Sequence, residues 1–277
     1  MRIFGGRRAT YLYVSGIGVD RDVELGAGMT LLPASLTCNS NCLRSATETM
    51  PDFHIASLVA PSIGSQLRVS GQGSRDVAIK SWNATWDILL IGAMFNVEAD
   101  AILHSATDAR RITAKSKLFV THYQLKHFAF ESGVVLDEKC LSILERRFAD
   151  ARRLMLSERQ FRNAVHCLAT FRWHTLPRVQ LALLWSGIEG LFSVDSELSF
   201  RISLYTARFL APSDHSQAKQ VFKQVRRLYG YRSKAVHGVD IKGDARAMVS
   251  ESAGLLHSLV IACVTSGLVP VPEDLAP

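Results

Sequence analysis

Arg232 and His237 stand with four residues between them, Arg232-Ser-Lys-Ala-Val-His237, at the end of a helical stretch running from Gln220 to Gly238. An imidazole, with an unperturbed pKa of about 6.5, can take or give a proton near neutral pH. A guanidinium stays charged and can stabilise charge that develops on a phosphoryl group. Together they suit a phosphodiester that carries its own nucleophile, and RNA does so in its 2′-hydroxyl. The chemistry expected of such a pair is internal transesterification, which needs no metal or other cofactor and leaves a 2′,3′-cyclic phosphate and a 5′-hydroxyl.

The element that must position the pair is an amphipathic helix. Val221, Phe222, Val225, Leu228 and Tyr229 recur at helical spacing, and Arg232 continues their apolar stripe, so its guanidinium needs a partner. Glu189 is the candidate: it lies four residues after Trp185 and three before Phe192, at the edge of the apolar stripe of another expected helix. Face-to-face packing of these helices would bring carboxylate and guanidinium together, with bidentate pairing to fix the Arg plane. Gly238 can take the left-handed conformation that ends a helix, leaving His237 at the last turn or just beyond it. Residues five apart on an ideal helix differ by roughly 140° in direction, so Arg232 and His237 converge only if the helix unwinds near Gly238.

Between Lys219 and Lys234 there are six cations (Lys219, Lys223, Arg226, Arg227, Arg232, Lys234) and no anion. Beside Phe222, Tyr229 and Tyr231 they can follow a phosphate backbone and stack bases. Lys223, Arg226, Arg227, Tyr231, Ser233 and Lys234 are therefore the candidate RNA contacts, and a plain solvated helix face is the alternative.

The segment resembles the RxxxxH signature of the HEPN superfamily, most closely its Apea-like branch. The residues that carry the resemblance are Tyr229, Arg232, Ser233, His237 and Gly238, with Trp185, Glu189, Leu191 and Phe192 upstream. It extends over roughly Leu136 to Leu268. It implies a helical domain, an endoribonuclease activity carried by Arg232, His237 and Glu189, and a homodimer whose active cleft lies between two copies. It also implies a role in defence against phage or as a toxin. Ser233 stands where many nucleases of the family have Asn, Asp or His.

The 277 residues, 48% hydrophobic and 21% charged with a net charge of +7, describe a folded globular chain rather than a disordered one. No run of 18 apolar residues is present and the N-terminus lacks a secretory pattern, so no membrane span and a cytoplasmic location are expected. Five scattered cysteines suggest reduced thiols. Cys38 and Cys42 lack the further ligands of a zinc site, so no metal is expected.

The fold class expected is α+β, with a mixed β-containing region at 1–135, a helical bundle at 136–270 and a C-terminal tail at 271–277. Strands are expected over residues 9–19, 28–36, 54–61 and 66–71. A helix follows from Asp76 to about Ala101 with Trp82, Thr85, Trp86, Leu89, Leu90 and Ala93 on one face, and then one or two strands within 117–130 that include His122 and His127. About six helices come next. Ser157 is the expected cap of the second, Pro177 sits in the first turn of the third, and Asp195 or Ser196 caps the fourth. The function expected is a metal-independent endoribonuclease acting on RNA as a homodimer, with a regulatory ligand or protein at the N-terminal region. Two alternatives stand beside it: a non-catalytic RNA- or nucleotide-binding module, and a structural dimerisation module.

Overall fold

The computed structural model describes residues 3–124, 133–194, 196–239 and 243–276. The fold is α+β: an antiparallel sheet region precedes a helical region. The chain forms two compact units, residues 1–92 with 97–149, and residues 93–96 with 150–277.

The first unit opens with β1 (Ala9–Ser15), β2 (Ile17–Gly18), β3 (Val23–Gly26) and β4 (Met29–Pro33), followed by α1 (Ser40–Ala46) and α2 (Met50–Val59). Then come β5 (Ile63–Ser70), α3 (Ser74–Phe95), β6 (Asp100–Ser105), β7 (Leu118–Val120) and β8 (Val134–Val135). Six strands make one sheet in the order β3-β4-β5-β1-β6-β7, with every neighbouring pair antiparallel. In the central strand, Tyr13 lies opposite Leu103 and joins a core with Leu43 and Ala46 of α1 and Ala56 and Val59 of α2. Leu12 and Val14 point the other way and are equally buried, so both faces of the sheet are covered.

Three expectations for this unit are corrected. Residues 54–61 are helical, because Thr49 caps α2 by accepting from the Asp52 amide at 3.2 Å, Pro51 sits in the first turn, and the buried Ala56 and Val59 are spaced for a helix. The helix expected to reach Ala101 stops at Phe95; Asn96 takes a left-handed φ of 52° and the chain turns into β6. The buried side of α3 runs through Val77, Ala84, Ile88 and Ile91, whereas Trp82 and Trp86 are each 44% exposed. Small residues such as Ser81 and Ala84 sit on the buried face instead. Of the strands expected within 117–130, β7 is present, and His122 beyond it pairs with Asp100 at 3.0 Å. Residues 125–130, His127 included, lie outside the described residues.

The second unit contains the end of α4 (Glu138–Ser157), then α5 (Arg159–Thr170), α6 (Pro177–Phe192), α7 (Leu198–Leu210), α8 (His215–Val236), α9 (Ala245–Ser266) and the short α10 (Pro272–Leu275). α6 is the central element, packed on α5, α8 and α9. Leu181, Leu184, Trp185, Ile188, Leu191 and Phe192 are all buried on it. Pro177 takes the first turn of α6. Ser157 belongs to α4, and Glu158 holds the N-cap position of α5 without a side-chain bond. Glu197, at φ 49°, precedes α7, while Asp195 lies outside the described residues. The expected tail holds α10, to whose Leu275 carbonyl Arg208 Nη1 donates at 2.8 Å. α9 is long and apolar enough, by length and composition, to cross a membrane. Its Leu255, Leu256, Leu259, Val260 and Cys263 are consumed by the bundle core.

Candidate functional site

α6 and α8 bring the two opposite charges together. Arg232 Nη2 donates to Glu189 Oε2 at 2.8 Å, with side chains 21% and 19% exposed. The pairing is a single hydrogen bond rather than the expected bidentate one. Glu189 Oε1 is buried without a hydrogen-bond partner among the described residues. Burial therefore dominates its titration: it pushes the carboxyl above its ordinary value of 4.5, against the pull of Arg232 in the other direction.

An aromatic column holds the arginine in place. Arg232 Cζ lies 5.5 Å from the centre of the Tyr229 ring, and Tyr229 meets Trp185 edge-on at 5.4 Å. Trp185 is fully buried, and its Nε1 donates to Ser252 Oγ of α9 at 3.2 Å. Of the expected stripe of α8, Val225 and Leu228 are buried and Val221, Phe222, Tyr229 and Arg232 half-buried; Ala235, one turn on, is buried as well. Beside Tyr229 an open cleft of about 560 Å³ is lined by residues 196–200 at the start of α7.

His237 stands elsewhere. It is the C-cap of α8, its backbone N–H donating to Ser233 O at 3.0 Å. Gly238 follows at φ 72°, and Val239 N–H returns to Lys234 O at 3.0 Å, the six-to-one bond of a Schellman closure. The helix does not unwind before His237. Its side chain is exposed, and on the winding of α8 its position lies roughly 140° around the axis from that of Arg232. One chain joins Glu189 to Arg232 and leaves His237 apart.

The company His237 does keep is cationic. At 100° per residue, Lys219, Lys223, Arg226, Lys234 and His237 fall within an arc of about 80°, and all are exposed. Gly230 lies within the same arc, and a Cβ there would meet no atom within 4 Å, so the backbone itself is open to close approach. Arg227 lies about 20° beyond the edge of this arc, bonded to Glu251 of α9. Lys234 Nζ lies 5.6 Å from the centre of the half-buried Tyr231 ring. Ser233 is half-buried, and its carbonyl is used in capping.

Sequence reasoning missed one cation. Arg178 Nη1, from the first turn of α6, lies 3.9 Å from where a Cβ on Gly238 would be. Its only signal was the position after Pro177; what brings it to the motif turn is the packing of α6 on α8.

The cysteines are all free thiols. Cys38 contacts Cys42, and burial pushes its thiol up to about 12. Among the described residues no three His, Cys, Asp or Glu side chains gather as a metal-binding set. In comparisons with protein-family models, curated proteins and solved structures, nothing matches this chain.

Proposed function

We propose that the helical unit is a metal-independent endoribonuclease of the HEPN type, acting as a homodimer in defence or as a toxin. The observation that carries this reading is the exposed His237 imidazole at the end of a face of α8 that bears Lys219, Lys223, Arg226 and Lys234 and no acid. The four cations hold the RNA backbone along the helix. At its end, His237 removes the proton from a 2′-hydroxyl; the 2′-oxygen attacks phosphorus and the 5′-oxygen leaves. A histidinium returns the proton to that leaving oxygen.

Arg232 stabilises the charge on the phosphorane. Its Nη2 is held by Glu189, while Nε and Nη1 make no hydrogen bond among the described residues. Because Arg232 and His237 diverge on one helix, the reacting phosphate meets Arg232 and His237 from different copies. The site is then complete only in the dimer.

The test is incubation of wild-type and His237→Ala protein with labelled single-stranded RNA and tRNA in excess EDTA, with end-group analysis of the fragments. Wild type yields 2′,3′-cyclic phosphate and 5′-hydroxyl ends, and His237→Ala yields none. Because the side chain of His237 is exposed, the variant keeps the wild-type stability to within about 0.5 kcal/mol. Absence of cleavage by either protein overturns the nuclease reading. The second reading is then a binding module, which the separation of Arg232 and His237 in one chain favours, and His237→Ala would weaken RNA affinity alone.

A further inference from the structure

The first unit has a cleft of its own, of about 760 Å³, lined by Arg7, Arg8, Tyr11 and the Gly71-Gln72-Gly73 loop. Glycines bring its walls together. A Cβ on Gly5 would lie 1.9 Å from Ser74 O, and one on Gly6 would lie 2.0 Å from Ala9 O, so only glycine lets the chain before β1 run this close. The Gly71 N–H donates to Arg8 O at 3.0 Å, which ties the arginine pair to the loop that enters α3.

Both arginine side chains are exposed, and neither makes an ion pair or a hydrogen bond among the described residues. The neighbouring acid is paired with a cation. Asp76 Oδ2 accepts from Lys80 Nζ and from the Gln72 amide, each at 2.8 Å, and these partners hold its carboxyl below the ordinary range. Gln72 lies in the loop before α3, so Asp76 already uses the amide of this loop, and the two guanidinium forks are the groups left to meet an anion. Such forks match phosphate oxygens in pairs. Tyr11, half-buried in β1 and packed against the core that holds Tyr13, borders the same cleft. The volume is in the range of small-ligand sites.

We propose that this cleft binds a phosphorylated nucleotide, with Arg7 and Arg8 on the phosphates and Tyr11 against the base. The shared chemistry, phosphate next to a planar base, also occurs in an RNA strand, and the experiment separates the two sources. Titration calorimetry on the full chain uses ADP, pyrophosphate, adenosine and a short single-stranded oligoribonucleotide as probes. ADP binds more tightly than pyrophosphate or adenosine. Arg7→Ala with Arg8→Ala weakens ADP and pyrophosphate about tenfold or more, with an unchanged melting temperature. Tyr11→Leu weakens ADP about fivefold and leaves pyrophosphate unchanged. The oligoribonucleotide is unaffected by the arginine variant. ADP binding no tighter than adenosine, or unmoved by the arginine variant, overturns the proposal. Loss confined to the oligoribonucleotide also overturns it and makes the cleft a contact for an RNA strand. RNA cleavage plays no part in the measurement, so its outcome is independent of the function proposed for the helical unit.

Discussion

Arg232 and Glu189 answer differently to the loss of a partner. A guanidinium left half-buried cannot shed its charge, whereas a carboxyl already raised by burial can take a proton. Glu189→Ala is expected to cost about 2 kcal/mol in urea unfolding, and Arg232→Ala distinctly less. Equal costs would place the energy in packing rather than in charge. His104 offers a second test, in the first unit. It is fully buried: its Nε2 accepts from the Phe4 amide at 3.0 Å and its Nδ1 lies 3.0 Å from Thr121 Oγ1, and burial holds its pKa down at about 4. Between its ordinary value of 6.5 and about 4 the unfolded chain binds a proton that the folded ring refuses, so stability falls as pH falls through that window. The loss is on the order of 3 kcal/mol, measured by urea unfolding across the range. His104→Gln should remove most of that slope. The Arg232 partnership was legible in the sequence because a cation on an apolar stripe demands an anion, and Glu189 was the acid at the matching edge. The Arg178 contact was not legible, since an exposed cation after a proline satisfies no such demand.

The decisive feature of α8 is how it ends. Gly238 at φ 72° closes the helix in one residue, which keeps His237 on the azimuth of Lys219, Lys223 and Arg226. A Cβ at that position meets nothing closer than Arg178 Nη1 at 3.9 Å, so Gly238→Ala meets no clash and costs only the left-handed backbone of a non-glycine residue, about 1 kcal/mol. Cleavage should fall in the variant by more than that cost explains, because fraying of the cap misplaces the imidazole. A variant with normal cleavage would mean that the cap does not set the position of His237. Periodicity reveals α8 and the stripe of α6, whereas residues 54–61 fit a strand although Thr49, Pro51 and Asp52 announce a helix start. Their short apolar run fits either period, and only the cap chemistry decides between them.

Across the whole molecule, charge sets how RNA affinity responds to salt. With a net charge of +7 and an acid-free face on α8, binding should weaken steeply as salt rises. Lys223→Ala with Arg226→Ala should make the slope of log affinity against log salt shallower by about 1.4, since each lost phosphate contact on a single strand removes about 0.7. Arg227→Ala should change that slope less, because this guanidinium is already bonded to Glu251. An unchanged slope in the double variant would place the RNA elsewhere. The sequence by itself determined the class of the chain and most of its helices, because apolar spacing, prolines and glycine act over one or two turns. It also determined that Arg232 would need an acid. Only the tertiary structure decided the strand order β3-β4-β5-β1-β6-β7, the buried side of α3 and that α8 stays wound up to His237. Each of these depends on which surfaces meet across many residues and on how far a helix stays wound, and neither is written in local spacing.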